Sequence, residues 1–182
     1  MRITAERPEH APAIEALLDL TFGPGRHTKT VYRLRENIDP VEGLSFVALD
    51  HDVLQGTIRY WPVLIAQTTP ALLLGPIAVT PARQSGGLGA RLMRHSLAQA
   101  AITGHRIVLL VGDEPYYRRF GFSRRPVLAL ELPGPVDTNR FLGLELTKGT
   151  LHGISGTVGP SGPTAKLLHT THATTYAQVR TP

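Results

Sequence analysis

The stretch from Leu72 to Ala101, LLLGPIAVTPARQSGGLGARLMRHSLAQAA, constrains this chain more than any other. It opens with an apolar run, Leu72, Leu73, Leu74, Ile77 and Val79, of the kind that a sheet buries on both faces. Pro81 cannot donate to a strand ladder and stops the run. The last part places apolar or small residues at helical spacing. From Leu88, the positions Leu92, Met93, Ser96, Leu97, Ala100 and Ala101 share one face, with Arg91, Arg94 and Gln99 off it. Gly104 is placed to end the helix. Between strand and helix lies a glycine-rich turn, Gln84-Ser85-Gly86-Gly87-Leu88-Gly89.

Glycines at the mouth of a helix have a physical use. Without a Cβ, the backbone admits a bulky anion closely. The first helical amides have no intrahelical partner, and the helix dipole there favours negative charge. Strand, glycine turn and helix together predict an anion cradle, most often one for a phosphate. The alternative is a tight connection that needs only freedom of turn. The nucleotide P-loop is excluded, because it requires Lys and then Ser or Thr after its last Gly, and Ala90-Arg91 stands there. The dinucleotide fingerprint lacks its third Gly. A following strand, Ile107 to Val111, does end near the acidic Asp113, so that reading stays open at this point.

Composition narrows the classes. At 182 residues the chain suits one domain with a substantial core. No apolar run approaches the ~20 residues of a membrane-spanning helix. Glu6, Glu9 and Glu15 interrupt what a signal peptide would keep apolar. There are no cysteines, so disulfides, a thiol nucleophile and thiolate metal sites are excluded, and a cytoplasmic location is the default expectation. The net charge of +5 favours an anionic partner. The arginines are scattered, with doublets only at Arg118-Arg119 and Arg124-Arg125, so a nucleic-acid face is not predicted. Most of these charges suit a solvated surface.

The remaining elements follow from local patterns. Arg2 to Ala5 predicts a short strand. A helix begins near Pro8 and carries Ile14, Leu17, Leu18 and Phe22 on one face, and Gly23-Pro24-Gly25 ends it. Thr28 to Glu36 predicts a second helix with Val31 and Leu34 inward, after a polar loop holding Arg26, His27 and Lys29. Ser45 to Leu49 and Gln55 to Pro62 predict an antiparallel hairpin, turned at Asp50-His51-Asp52. Those three residues serve a turn better than a metal, which needs about four converging ligands. Tyr60 and Trp61 fall on opposite faces, one for the core and one for a cavity. Arg106 to Val111 is a further strand, Tyr116 to Phe120 a short helix, Phe122 a strand start, and Val127 to Leu132, Phe141 to Leu146 and Thr150 to Gly156 more strands. Residues 159–182 are rich in Pro, Thr, Ser and Gly and predict a poorly ordered tail, with His169 and His172 incidental. The folded domain is expected over 1–158.

Two motifs in order carry a resemblance. Gln84 to Gly89 matches the Q/R-x-x-G-x-G/A loop with which the GNAT superfamily of N-acetyltransferases binds acetyl-CoA. Ile77-Ala78-Val79 looks like the end of that family's fourth strand. Tyr116-Tyr117-Arg118-Arg119-Phe120-Gly121-Phe122 resembles its second signature, a tyrosine in a short helix closed by Gly-Phe. The LLVGD-x-x-YY-x-RFGF pattern is similar to a bacterial branch of predicted acetyltransferases, and the likeness spans roughly Met1 to Val158. It implies an α/β (α+β) GNAT fold: a mixed, mostly antiparallel central sheet splayed between its fourth and fifth strands, with helices on both faces.

The resemblance also implies roles. Gln84, Ser85, Gly86, Gly87, Leu88, Gly89 and Ala90 would hold the diphosphate of acetyl-CoA, which serves as co-substrate with no metal. Ile77, Ala78 and Val79 would bind the pantetheine arm, with amides of Ile77 and Val79 freed by the splay and aimed at the thioester carbonyl. Tyr117 would be the general acid, since a phenol of ordinary pKa near 10 is protonated at neutral pH and can give its proton to a leaving thiolate. Arg26, His27 and Lys29 would help to choose the acceptor, a small-molecule or peptide amine. The base stays open among a water relay, Asp113, Glu114 and His27. The implied activity is N-acetyl transfer from acetyl-CoA to a primary amine in a ternary complex. The alternative on the same fold is a non-catalytic, CoA-binding regulatory module, and homodimerisation is left open.

Overall fold

The computed structural model describes residues 1–161. Its centre is a mixed sheet in the order β1-β2-β3-β4-β5-β7, with β8 pairing β3 and β6. The strands are β1 (Arg2–Ala5), β2 (Phe46–Asp50), β3 (Val53–Ile65), β4 (Thr69–Val79), β5 (Ile107–Val111), β6 (Leu130–Glu131), β7 (Phe141–Glu145) and β8 (Gly156–Pro160). The helices are α1 (Ala11–Phe22), α2 (Thr30–Arg33), α3 (Leu88–Ile102) and α4 (Glu114–Tyr117). All pairings among the six ordered strands are antiparallel except β4 with β5. Among the described residues no helix is long and apolar enough to cross a membrane.

Strand alternation sorts the core onto two faces. Leu72 and Leu74 of β4, with Phe46, Ala48, Ile58, Tyr60, Val108 and Leu110, pack under Leu88, Leu92, Met93, Leu97 and Ala100 of α3. Val47, Leu49 and Ala78 point the other way and meet Ile14, Leu17 and Leu18 of α1. Helices therefore cover both faces, as expected. Tyr60 is fully buried and shares a 2.8 Å hydrogen bond with Ser96. Trp61 alternates to the far side and donates Nε1 to the Gly75 carbonyl at 2.7 Å.

The register of β3 against β4 slips between Ile58 and Tyr60, where Gly75 and Pro76 put one extra residue into β4. Such a bulge reverses the alternation. Before it the even-numbered Leu72 and Leu74 face α3, and after it the odd-numbered Ile77 and Val79 pack on that side. The parallel pairing of β4 with β5 is confined to Leu72↔Val108 and Leu73↔Leu109. Beyond these pairs the two strands separate, which is the expected splay.

Several expected elements come out differently. Only Thr30–Arg33 of the second helix is helical; the chain continues in turns, and Asn37 adopts a left-handed φ of 57°. Of Val127 to Leu132 only Leu130–Glu131 is strand, because Pro126 has no amide to donate and a single 3-10 turn, Arg125–Val127, takes its place. At Phe122 the pairing reduces to one bridge, Ser123 to Gly143. Thr150 to Gly153 is a run of turns ending at left-handed Gly153, held by the Leu151 amide donating to Glu145 Oε1 at 2.6 Å, and strand begins only at Gly156. The last strand pairs Pro160 with Val63, so ordered pairing passes the expected boundary at 158. The remainder of the expected tail, with His169 and His172, lies outside the described residues. At the β2–β3 hairpin, His51 and Asp52 both have positive φ, 46° and 65°, in the manner of a two-residue primed turn. Asp50 there is engaged by Arg83 at 2.6 Å.

Candidate active site

The glycine turn enters α3 with Gly87 at φ 76° as its N-cap, and with no side-chain cap. The amides of the turn divide into two sets. Gln84 N–H donates back to the Thr80 carbonyl at 3.1 Å and Gly86 N–H to Arg83 at 3.3 Å. The amides of Ser85, Gly87, Leu88, Gly89 and Ala90 have no partner among the described residues, and the helical ladder begins with Arg91 donating to Gly87 at 3.0 Å. Those open amides border a cavity of about 510 Å³, the loop cavity, together with Ile77, Val79, Tyr116, Tyr117 and the basic Arg83 and Arg119. Open amides, the positive end of a fifteen-residue helix and two guanidinium groups fit an anionic diphosphate. Gly89 has a second reason to lack a side chain, because a Cβ there would lie 2.8 Å from the Tyr116 hydroxyl. Tyr116 is thus a wall of the loop cavity, and Arg119 stacks on its ring at 4.1 Å.

The end of β4 presents backbone to the same space. Thr80 N–H donates to the Gln55 carbonyl at 2.9 Å, so Thr80 faces β3. By alternation Ala78 faces β3 as well, while Ile77 and Val79 turn their amides and carbonyls towards the gap left by β5. In keeping with this, the Val79 carbonyl accepts from Gln84 Nε2 at 3.2 Å.

Tyr117 ends α4, whose first residue follows Asp113 at the mouth of β5. Its ring packs directly against the Gly112 backbone, so that a Cβ on Gly112 would stand 2.2 Å from Cε2. Phe122 packs edge-on against the same ring at 6.0 Å between centroids. The hydroxyl has no hydrogen-bond partner among the described residues. Burial, reinforced by the neighbouring Tyr116 and Asp113 and opposed by Arg140, pushes the phenol up to about 12.

On the other side of Tyr117 lies an inner cavity of about 280 Å³, bounded by Phe22, Lys29, Tyr32, Arg35, Gly75, Pro76, Asp113 and Arg140. Ile77, Asp113 and Tyr117 line both it and the loop cavity. The Asp113 carboxylate is held by Arg140 at 3.1 Å. An outer cavity of about 230 Å³ continues beyond Tyr32, Arg35 and Pro76, past Glu15, Arg26, His27, Glu36, Arg59 and Trp61. Arg26 is only 3% exposed and is bound by Glu15 and by Asp19. Its burial disfavours the charge, but the bonds to Asp19, Tyr32 and Glu15 outweigh this and raise its pKa above the ordinary arginine value. Arg59 is held by Glu6 at 2.6 Å and by Glu15 at 3.4 Å. A cavity of about 870 Å³ beside Lys148 and His152 touches none of the expected site residues.

The structure therefore brings Ile77, Val79, Tyr117 and the loop around one space, with Ala78 turned away into the α1 core. Lys29 reaches the inner cavity and His27 the outer one. Glu114 lines neither cavity. The sequence reading missed Arg35 and Arg59. Arg59 leaves a trace, a charged residue in a strand apolar on both sides; Arg35 sits in a polar stretch and leaves none.

Known proteins resemble this chain in sequence and in fold. The family profile described as an acetyltransferase (GNAT) domain matches residues 42–124. The N-acetyltransferase YhbS of Escherichia coli K12, itself described as uncharacterized, is 30% identical over 160 residues, 87% of this chain and 95% of that protein. The crystal structure of Escherichia coli YhbS in complex with CoA superposes with a TM-score of 0.74 at 28% identity, covering 88% of this chain and 89% of that one. A GNAT family acetyltransferase from Brucella melitensis, solved with acetyl-CoA, gives 0.66 at 31% identity over 88% of this chain and 96% of its own. With its splayed sheet, its open-amide loop and a relative matched over nearly its whole length, this chain belongs to the GNAT superfamily of N-acetyltransferases.

Proposed function

We propose that the chain transfers an acetyl group from acetyl-CoA to a primary amine by direct attack, with both substrates bound at once. One observation carries this reading: the loop cavity and the inner cavity share Ile77, Asp113 and Tyr117, so that a donor in one meets an acceptor in the other at the phenol. The relatives solved with CoA and acetyl-CoA support a thioester as the donor.

Each residue then has a task. The amides of Ser85 and of Gly87 to Ala90 hold the diphosphate. The amides of Ile77 and Val79, facing the gap, take the pantetheine arm and the thioester oxygen, where charge develops as the amine attacks. Acetyl-CoA supplies the activated acyl group. A bond forms from the amine nitrogen to the acyl carbon and the carbon–sulfur bond breaks. Tyr117 gives its proton to the departing thiolate, and the proton lost by the amine restores the phenol through solvent or Asp113. Lys29, Arg35 and Arg140 around the inner cavity favour a neutral amine, since like charges disfavour its ammonium form.

Calorimetric titration with acetyl-CoA tests the donor, and the absence of binding at high micromolar concentration would refute it. Replacing Tyr117→Phe is expected to keep acetyl-CoA affinity and to lower kcat by ~10²–10⁴-fold. Unchanged turnover would remove Tyr117 from the chemistry.

A further inference from the structure

Arg35 stands out among the charged side chains around these cavities. It is 9% exposed, yet its Nε and Nη1 have no hydrogen-bond partner among the described residues. The two carboxylates that line the outer cavity do not reach it: Glu15 is bound to Arg26 and Arg59, and Glu36 forms no salt bridge with it. What holds it is aromatic. Its guanidinium lies 4.8 Å from the centre of the Tyr32 ring and 5.7 Å from that of Trp61. Nη2 reaches within 3.2 Å of where a Gly75 Cβ would stand, beside the β4 bulge. Arg35 borders both the inner and the outer cavity.

An unpaired buried cation costs several kcal/mol, which folded chains ordinarily avoid by supplying a counter-ion. Here burial pushes the guanidinium down to about 10, with Arg59 and Arg26 adding to the strain and only Tyr32 relieving it. The charges facing the inner cavity are Lys29, Arg35, Arg140 and the single carboxylate Asp113, which Arg140 occupies. Among the described residues, Lys29 and Arg35 are left uncompensated there. A simple amine or polyamine, itself a cation, would enter this space against repulsion. An acceptor that brings its own anion would supply what the protein withholds.

Resting on the acetyltransferase reading, we propose that Arg35 binds a carboxylate of the acceptor, and that the substrates are small amino-acid-like molecules carrying an amine and a carboxylate together. The planar guanidinium matches a carboxylate in shape as well as charge.

The test uses the purified full chain. Trp61, the only tryptophan, reports on Arg35 directly. Titration with acetate, against chloride at equal ionic strength, is expected to change its fluorescence saturably, and Arg35→Met is expected to weaken that binding at least ~10-fold. Acetyl transfer is then followed by thiol release with amino acids, their amides and their decarboxylated amines. The carboxylate forms are expected to be preferred by about 30-fold in kcat/KM, and Arg35→Met to reduce the preference to about threefold or less. Arg35→Lys, which keeps the charge, should retain part of it. Because Arg35→Met removes a buried charge while its side chain still packs on Tyr32 and Trp61, the melting temperature should hold or rise; if that variant unfolds, Arg35→Lys and the wild-type acetate titration decide. Absence of saturable acetate binding, equal use of amides and amines, or a preference for an aminophosphonate over its carboxylate counterpart each overturns the proposal. Calorimetry with acetyl-CoA separates the two levels: a chain that binds acetyl-CoA and ignores carboxylates refutes this inference alone.

Discussion

Gly112→Ala puts the position of Tyr117 to the test without touching the phenol. An alanine Cβ would stand 2.2 Å from Cε2 of that ring, 2.9 Å from Cδ2 and 3.0 Å from Cζ. Carbon atoms in ordinary contact keep about 3.5–4.0 Å apart, so the ring must retreat by more than about 1 Å. It cannot do so freely, since Phe122 and Tyr116 pack against it at 6.0 and 5.0 Å between centroids. The overpacking should cost ~1–3 kcal/mol of stability. A displacement of about 1 Å in a positioned group can cost ~10²-fold in rate, so kcat should fall by that order. Acetyl-CoA affinity should change little, because the loop amides are on another element. Thiol-release kinetics, calorimetry and thermal melting give the three readouts. If Gly112→Ala acts only through Tyr117, adding it to Tyr117→Phe should cost little further rate, whereas independent sites would add. A folded Gly112→Ala protein with kcat within twofold of wild type would refute the placement of Tyr117 at the reacting atoms.

Four further expectations follow from the same geometry. With its pKa near 12 rather than 10, Tyr117 stays protonated through the assay range, so kcat should show no alkaline fall from this group below about pH 11; a loss of kcat near pH 10 that tracks phenolate absorbance and vanishes from the Tyr117→Phe difference spectrum would contradict it. The same raised pKa stabilises the fold fully below pH 10, and that contribution should be lost as pH rises from 10 towards 12, which alkaline melting curves of wild type and Tyr117→Phe can compare. Gly89→Ala should fold, since the atom it meets at 2.8 Å is the movable end of Tyr116, but its methyl intrudes where the diphosphate must approach; calorimetry should show acetyl-CoA binding ~10–100-fold weaker, and unchanged affinity would exclude that approach. Leu92→Ala, at a fully buried position between α3 and the sheet, should cost ~2–5 kcal/mol in denaturant unfolding, and a cost under ~1 kcal/mol would contradict the packing.

Much of this protein is determined by sequence alone, where chemistry is local. The apolar run from Leu72 to Val79, the glycines at 86, 87 and 89 and the helical spacing from Leu88 are each short-range consequences of residue type, and they dictate a strand, an open-amide turn and an α3 helix in that order. The hairpin at His51-Asp52 and the opposed faces of Tyr60 and Trp61 follow from a period of two. Turns were less legible: Pro126 and Gly153 break what apolar content alone would read as strand. Tertiary structure decided what depends on distant residues meeting. Only folding lays Tyr117 on Gly112, brings Asp19 and Glu15 to Arg26, and leaves Arg35 buried between Tyr32 and Trp61 with no counter-ion among the described residues. The parity change at the Gly75-Pro76 bulge is likewise a property of pairing with β3. Residue type and spacing decide which elements form; whether a buried charge is paired depends on every chain segment that reaches it, and no local pattern encodes that.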